Sequence, residues 1–304
     1  VSTYSLQFEH QDSGKDILGY LVSNHYIRQA AYQVSTTTSA VSLMCGVEIK
    51  NIQATPNGLL ITLDNGDTLD TRLLVGSDGR FSATRRSMGI ACDLHDFGKT
   101  MLVCQMSHEL EHQHIAWEWF DYGQTLALLP MNGHQSSIVL TLDPQEIEAH
   151  LQMPEAKFND TMSQRFMYRL GAMQLQSTRH VYPLVTVYAK RMIAPRFVLL
   201  GDAAVGMHPG TAHGFNFGLR GVANLLNHVQ LARRRNGDIG SKEVLLRYQK
   251  EQRRHKLPLF LAPHLLVKLY ADERRPAQLL RDGLLRLGNH APHFKRAVAR
   301  FLAD

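Results

Sequence analysis

Two aspartates stand where short apolar runs end. Asp202 follows Arg196-Phe197-Val198-Leu199-Leu200 and opens the glycine-rich stretch Gly201 to Arg220, while Asp78 follows Leu73-Leu74-Val75-Gly76-Ser77. A carboxylate at the carboxyl end of a buried strand can accept hydrogen bonds from ligand hydroxyls, in the crevice where α/β folds hold their ligands. Gly-Asp-Ala-Ala taken alone reads equally well as a loop or helix-capping aspartate. The residues after it tilt the balance: Pro209 sets a rigid turn, Gly210 and Gly214 let a flat ligand approach the backbone, and a helix from about Phe215 aims unpaired N–H groups at the same place. Gly214, Phe215 and Asn216 form its amino end. Such an end stabilises negative charge by about 0.3 to 2 kcal/mol, so the loop suits a flat ligand with an anionic edge.

The stretch resembles the flavin-side turn of the class A FAD-dependent monooxygenases, the aromatic-hydroxylase family, in which Gly-Asp-Ala-Ala-His, a proline and Gly-Gln-Gly-x-Asn wrap the ribityl chain and ring. Leu74-Val75-Gly76-Ser77-Asp78-Gly79-Arg80-Phe81-Ser82-Ala83-Thr84-Arg85-Arg86 resembles the family's second element, associated with FAD and NAD(P)H binding. Within the family the chain is most similar to the ubiquinone-biosynthesis hydroxylases, through His208-Pro209, Gly214 to Arg220, Leu128-Leu129-Pro130, Tyr182-Pro183-Leu184 and Leu18 to Asn24. The resemblance implies FAD as cofactor, NAD(P)H or another reductant as electron donor, O2 as co-substrate, and a polyprenylated phenol or quinol ring as the site of hydroxylation. It further implies that Asp202 bonds the ribityl chain, that Pro209 and Gly214 to Asn216 line the isoalloxazine ring, and that Asp78 lies near the flavin. Asn24 matches a position that often carries Gln or Arg toward the flavin, and Val47 one whose backbone lies near the adenine; ordinary helix and strand positions explain these two equally well. His213 could remove the proton of a substrate phenol near neutral pH, although a loop residue acting through its backbone is the preferred reading.

The sequence also departs from that pattern. Val205 stands in place of a histidine, Ala212 of a glycine and His213 of a glutamine, and Gly221 occurs where an aspartate is frequent. Residues 1 to 40 contain no Gly-x-Gly-x-x-Gly turn to hold a pyrophosphate. The chain thus resembles roughly the last three quarters of such an enzyme. The expectation is a monooxygenase chain that binds FAD weakly or not at all by itself through truncation; the alternative is a flavin-free binding or scaffold relative.

The elements that must position these residues are legible from pattern. Leu18 to Gln33 has helical character around Ile27 and Ala31, and residues 47 to 76 read as a small β-meander turned by Asn57-Gly58 and Asn65-Gly66. Four strands are expected within 99 to 142, antiparallel because their connections are too short for crossover helices. Pro144 to Leu170 reads as a helix, 182 to 189 and 196 to 200 as strands. After Asn216, Leu219, Val222, Leu226 and Val229 keep a helical period up to Asn236-Gly237. The fold class is α/β (α+β): an incomplete FAD/NAD(P)-binding Rossmann-like domain over 1–94 and 182–240, an inserted antiparallel-sheet substrate domain over 95–181, and a basic helical region over 241–304. Cys104, Trp117, Trp119 and Phe120 fall in the sheet expected to cover substrate; most such residues are core packing rather than ligand contacts, and none is assigned a role.

Composition bounds the rest. With 304 residues, 44% hydrophobic and 20% charged, the chain can bury a full core. Its 3 cysteines form no Cys-x-x-Cys pair and its 16 histidines no ligand spacing, which argues against a disulfide scaffold or a metal site and for a reducing cytoplasm. The net charge of +6 is concentrated from Lys242 onward, where 14 Lys and Arg face 6 Asp and Glu. Without an aromatic-studded basic motif no nucleic acid is expected; the basic segment suits an anionic membrane surface, as on the inner face of a membrane, or a biosynthetic protein complex, against the plainer reading of solvated helix faces.

Overall fold

The computed structural model describes residues 7–121, 124–208 and 214–254, together with Arg296 and Ala299. It has a mixed α/β architecture. Among the described residues one compact unit comprises 7–34, 97–184, Arg296 and Ala299, and the other 35–96 and 185–254.

The first unit begins with a single turn, α1 (His10–Ser13), and continues into α2 (Asn24–Thr37), which starts six residues later than Leu18 and has no buried residue. Its centre is an antiparallel sheet. The long strand β5 (Cys92–His108) pairs with β8 (Gln135–Leu142), which pairs with β7 (Gln124–Pro130), which pairs with β6 (Trp117–Asp121); β9 (Met173–Leu175) joins β5 near His108. Because side chains alternate across a strand, Leu102, Cys104 and Met106 share one face with Leu126, Leu128, Ile138, Leu140 and Leu142, all buried. Ile147 of α4 (Pro144–Gln152) and Phe158 and Met162 of α5 (Glu155–Arg165) close that face. The single helix expected over 144–170 is in fact two. Pro154 cannot continue a helix, so α4 ends before it and α5 restarts directly after it.

The second unit contains the meander β1 (Ile49–Ala54), β2 (Leu59–Leu63) and β3 (Thr68–Thr71), with Leu59, Ile61 and Leu63 buried on one face. Its functional frame is a second sheet of β4 (Leu74–Gly76), β12 (Phe197–Leu199) and β11 (Ile193–Ala194), followed along the chain from β4 by the short helix α3 (Ala83–Ser87). β4 and β12 run parallel, with Leu74 opposite Phe197, Val75 opposite Val198 and Gly76 opposite Leu199. Gly76 is glycine for a steric reason: a Cβ there would lie 2.8 Å from the Phe197 ring. A two-residue strand, β13 (Val205–Gly206), pairs with the second half of β10 (His180–Ala189). Two helices complete the core: α6 (Gly214–Arg234) supplies Phe217 and Leu225, and α7 (residues 242–254) supplies Leu245 and Tyr248, whose hydroxyl donates to the Leu199 carbonyl at 2.8 Å.

Helix α6 forms as its periodicity implies. Its buried face is Phe217, Gly221, Asn224 and Leu225, whereas the periodic residues Leu219, Val222 and Leu226 are each about half exposed. Gly221 explains the choice of face, because its missing side chain brings the helix against Leu200, whose methyl would lie 3.2 Å from a Cβ. The sequence pattern found the helix but not its core side.

Candidate functional site

Parallel pairing of β4 and β12 brings the two aspartate segments to one edge. Both strands end in the same direction, the side on which open α/β sheets bind ligands. From β12 the chain passes through Leu200 into a 3₁₀ turn, Gly201–Ala203, made possible by the positive φ of Gly201 (56°). From β4 it passes through Asp78 and Gly79 (φ 85°) into α3.

Two arginines tie these segments together. Arg80 donates from Nη2 to Asp202 Oδ2 at 2.9 Å and from Nη1 to the Val185 carbonyl at 2.7 Å. Arg85 is buried; its Nη1 donates to the Ala203 carbonyl at 2.8 Å and its Nη2 to the Arg80 carbonyl at 3.0 Å, while its Nε has no partner. A buried guanidinium held by carbonyls alone fixes the backbone on both sides of the Arg80–Asp202 pair.

The two aspartates are in different states. The Asp78 carboxylate accepts the Ser82 hydroxyl at 2.5 Å, the Thr84 N–H at 2.9 Å and the Thr84 hydroxyl at 2.7 Å. Burial works to raise its pKa, but these donors together outweigh it and hold the group below its ordinary value. Asp78 is thereby committed to the first turn of α3. Asp202 uses Oδ2 for Arg80, and among the described residues Oδ1 has no hydrogen bond. That oxygen is available to a ligand hydroxyl.

The remaining expected residues divide. Gly214, Phe215 and Asn216 form the first turn of α6, in the same unit as Asp202, and both side chains are exposed. Gly214 has open space where a Cβ would go, and a Cβ on Gly218 would lie 3.8 Å from the Gly201 Cα, so the first turns of α6 pass close to the Asp202 turn. Val47 is half-buried just before β1, also in this unit. Asn24 is exposed at the start of α2 and belongs to the other unit. Pro209 and His213 lie outside the described residues. Val205, the departure from histidine, is buried in β13 opposite Tyr188 and acts as an apolar packing residue.

Sequence reasoning missed Arg80 and Arg85 as site residues. Their partners lie 122 and 118 positions away, and only the parallel pairing of the strands reveals the connection. Cys104 is confirmed in its packing role: burial pushes its thiol up to about 12, which makes it a poor nucleophile. Trp117 and Trp119 stack at 5.8 Å with the Arg169 guanidinium 3.9 Å above Trp117, and both pack against the core of their unit. No cluster of three or more metal-ligating side chains occurs among the described residues.

The donor set fits the ribityl and ring side of FAD: a carboxylate with one oxygen available, glycines that admit a flat group, and the amino end of a helix of 21 residues. Comparison with known proteins agrees. The model of an FAD binding domain matches residues 25–258. Ubiquinone hydroxylase UbiM of Neisseria meningitidis serogroup C is 41% identical over 99% of this chain and 66% of its own length. Ubiquinone hydroxylase UbiL of Rhodospirillum rubrum is 33% identical over 87% of this chain and 62% of its own length. This chain therefore spans about two thirds of the length of these relatives. Among solved structures, p-nitrophenol 4-monooxygenase PnpA from Pseudomonas putida has a TM-score of 0.72 at 16% identity, covering 92% of this chain and 71% of its own. PqsL of P. aeruginosa has a TM-score of 0.71 at 20% identity, covering 84% and 71%. At such identities the likeness concerns the fold.

Proposed function

The chain belongs to the FAD binding domain family, and from that premise we propose that it is the flavin-ring side of an FAD-dependent aromatic-ring hydroxylase acting on a polyprenyl phenol or quinol precursor of ubiquinone. The observation that carries this reading is the shared edge of β4 and β12, where Asp202 presents one oxygen in the same unit as the amino end of α6. The substrate class rests on the names of the relatives, both ubiquinone hydroxylases.

When bound, FAD supplies the reduction of O2 and the electrophilic oxygen that enters the ring. Overall, a ring C–H becomes C–OH and the second oxygen leaves as water, with two electrons from NAD(P)H or another reductant. The protein's own residues bind and orient. Asp202 would accept from a ribityl hydroxyl, and the N–H groups at Gly214 to Asn216 would stabilise an anionic ring edge, with Pro209 kept as a candidate contact. Asp78 acts through α3 and the arginines behind it. Asn24 and Val47 are kept as candidate contacts, and His213 as a candidate base toward a substrate phenol.

The units support a division of labour in which residues 35–96 and 185–254 hold the cofactor and the antiparallel sheet of 97–184 faces substrate. Lys242, Arg247, Lys250, Arg253 and Arg254 are all exposed on or at the end of α7, which supports docking of the basic segment on an anionic membrane or a biosynthetic complex at the cytoplasmic side. No helix among the described residues is long and apolar enough to cross a membrane.

The test is a flavin titration. Protein expressed from its complete gene should quench FAD fluorescence and consume NAD(P)H and O2 with a prenylated phenol, and Asp202→Asn should weaken FAD binding about tenfold. A protein that neither binds FAD nor oxidises NAD(P)H in the presence of phenols would instead be a flavin-free scaffold.

A further inference from the structure

We propose that Arg80 is the positioning residue for the ligand-facing carboxylate: it holds Asp202 in the one orientation that leaves Oδ1 available to FAD, and it neutralises that carboxylate beside an anionic cofactor. The inference rests on the FAD reading of the site.

Three observations lead to it. Arg80 joins three separate stretches of chain through one guanidinium: its own segment after β4, Val185 on β10 and Asp202 on the 3₁₀ turn. A path has been left open for it, since a Cβ on Gly206 would lie 3.1 Å from the Arg80 Cβ and 3.7 Å from its Nε. Any side chain at position 206 would push against the arginine stem. Beneath it, Arg85 grips the carbonyls of Arg80 and Ala203, so both ends of the ion pair rise from backbone that is itself held.

Fold stability is not what this arrangement serves. The Arg80 and Asp202 side chains are 26% and 35% exposed, and ion pairs with that access to water contribute roughly 0 to 1 kcal/mol. What the pair fixes is geometry. A free aspartate rotates about two soft torsions, and a hydroxyl that binds it must stop that rotation; an aspartate already clamped through Oδ2 offers Oδ1 without that cost. The planar fork matters as much as the charge, because one face of the guanidinium edge serves Val185 while the other serves Asp202. Electrostatics points the same way: without Arg80, a ligand carrying a pyrophosphate would meet an uncompensated carboxylate.

The experiment compares FAD dissociation constants, by flavin fluorescence, and flavin midpoint potentials for the protein from its complete gene and for Arg80→Ala, Arg80→Lys, Asp202→Asn and the Arg80→Ala/Asp202→Asn pair. Thermal melts without FAD run alongside. Arg80→Ala should melt near the parent temperature, bind FAD about tenfold more weakly, and shift the potential to more negative values because reduced flavin loses a nearby positive charge. Arg80→Lys should recover part of the affinity, and the alanine change should cost less than twofold once Asp202 is already Asn. Should Arg80→Ala fold poorly, Arg80→Gln keeps a donor toward Val185 and removes the charge, and the same cycle is read with it. Unchanged affinity in the arginine variants, or an equal loss with and without the Asp202 carboxylate, overturns the inference and leaves the FAD reading standing. Absence of FAD binding in the parent protein overturns the FAD reading, and this inference falls with it.

Discussion

Asp78 and Asp202 are the same side chain at the ends of two paired strands, yet their surroundings give them different work. Three donors from Ser82 and Thr84 consume Asp78, whereas Asp202 meets one guanidinium and keeps an oxygen. The split follows from what comes next in the sequence: Ser82 and Thr84 are close enough to fold back on Asp78 as α3 begins, while Ala203 and Ala204 after Asp202 have no side-chain donors. Substitution separates the two roles. Asp78→Asn should destabilise the protein by about 1 kcal/mol at neutral pH, with a smaller effect on FAD affinity than Asp202→Asn. Because the folded pKa of Asp78 lies below its unfolded value of 3.8, that stabilisation is complete above about pH 5 and disappears as pH falls through the folded pKa. Urea melts of the parent and Asp78→Asn should therefore differ at pH 7 and converge in strong acid; a difference independent of pH would contradict the assignment. Asp202 was legible in the sequence because its context is local. Its partner Arg80 was not, since a contact across 122 residues leaves no local trace.

At the scale of elements, alternation and turn residues exposed the β-meander and the antiparallel strands, whereas the helix break at Pro154 was overlooked. The parallel pairing of β4 with β12 was less accessible, because strands of three residues carry too little pattern to name a neighbour. The structure shows that steric fit decides this pairing. Phe197 lies over Gly76, where even a methyl group would come within 2.8 Å of the ring. Gly76→Ala should accordingly destabilise the protein by about 1 to 3 kcal/mol, and on the proposed FAD reading it should weaken FAD binding as well, since both aspartate segments depend on this register. Phe197→Leu in the same chain should return part of the loss, because it removes the ring edge that a Cβ meets. Additive destabilisation in the double variant, measured by denaturant melts, would show that the contact does not set the pairing. The buried face of α6 was not legible for a related reason: its core side is chosen by Gly221 against Leu200, and a hydrophobicity count gives a glycine no weight.

At the scale of the whole molecule the chain leaves the unit that contains Asp202 after residue 96 and returns at 185. A one-dimensional reading sees the change from meander to long strands, but the exact crossing falls inside β5 and β10, where the strand pattern continues without a break. The two units carry different titrating groups, which gives each its own response to acid. In the sheet unit, burial holds the His108 pKa below its ordinary 6.5, with His112 and His134 adding repulsion and the Leu110 carbonyl opposing it. Its ring is packed 5.6 Å from His112 and 6.1 Å from His134, with Nε2 3.0 Å from the Ser136 hydroxyl. A histidine whose folded pKa is depressed is protonated more readily in the unfolded chain. Its stabilising contribution is therefore present above the unfolded pKa, near 6.5, and is lost as pH falls from there toward the folded pKa. In the other unit the shifted carboxyls, Asp78 and Asp238, are both held below 3.8, Asp238 chiefly by its hydrogen bond with Arg196. Their contributions persist through mild acid. Glu118, in the same sheet as His108 and pushed up to about 7 by burial, gains stability over the same fall in pH, so the His108 contribution is read by difference. Hydrogen exchange corrected for intrinsic rates should show β5 and β8 of the parent losing protection between pH 7 and pH 5 relative to His108→Gln, while β12 and the buried face of α6 respond alike in both proteins. An identical response of β5 and β8 in the parent and in His108→Gln would place the acid sensitivity elsewhere than at His108.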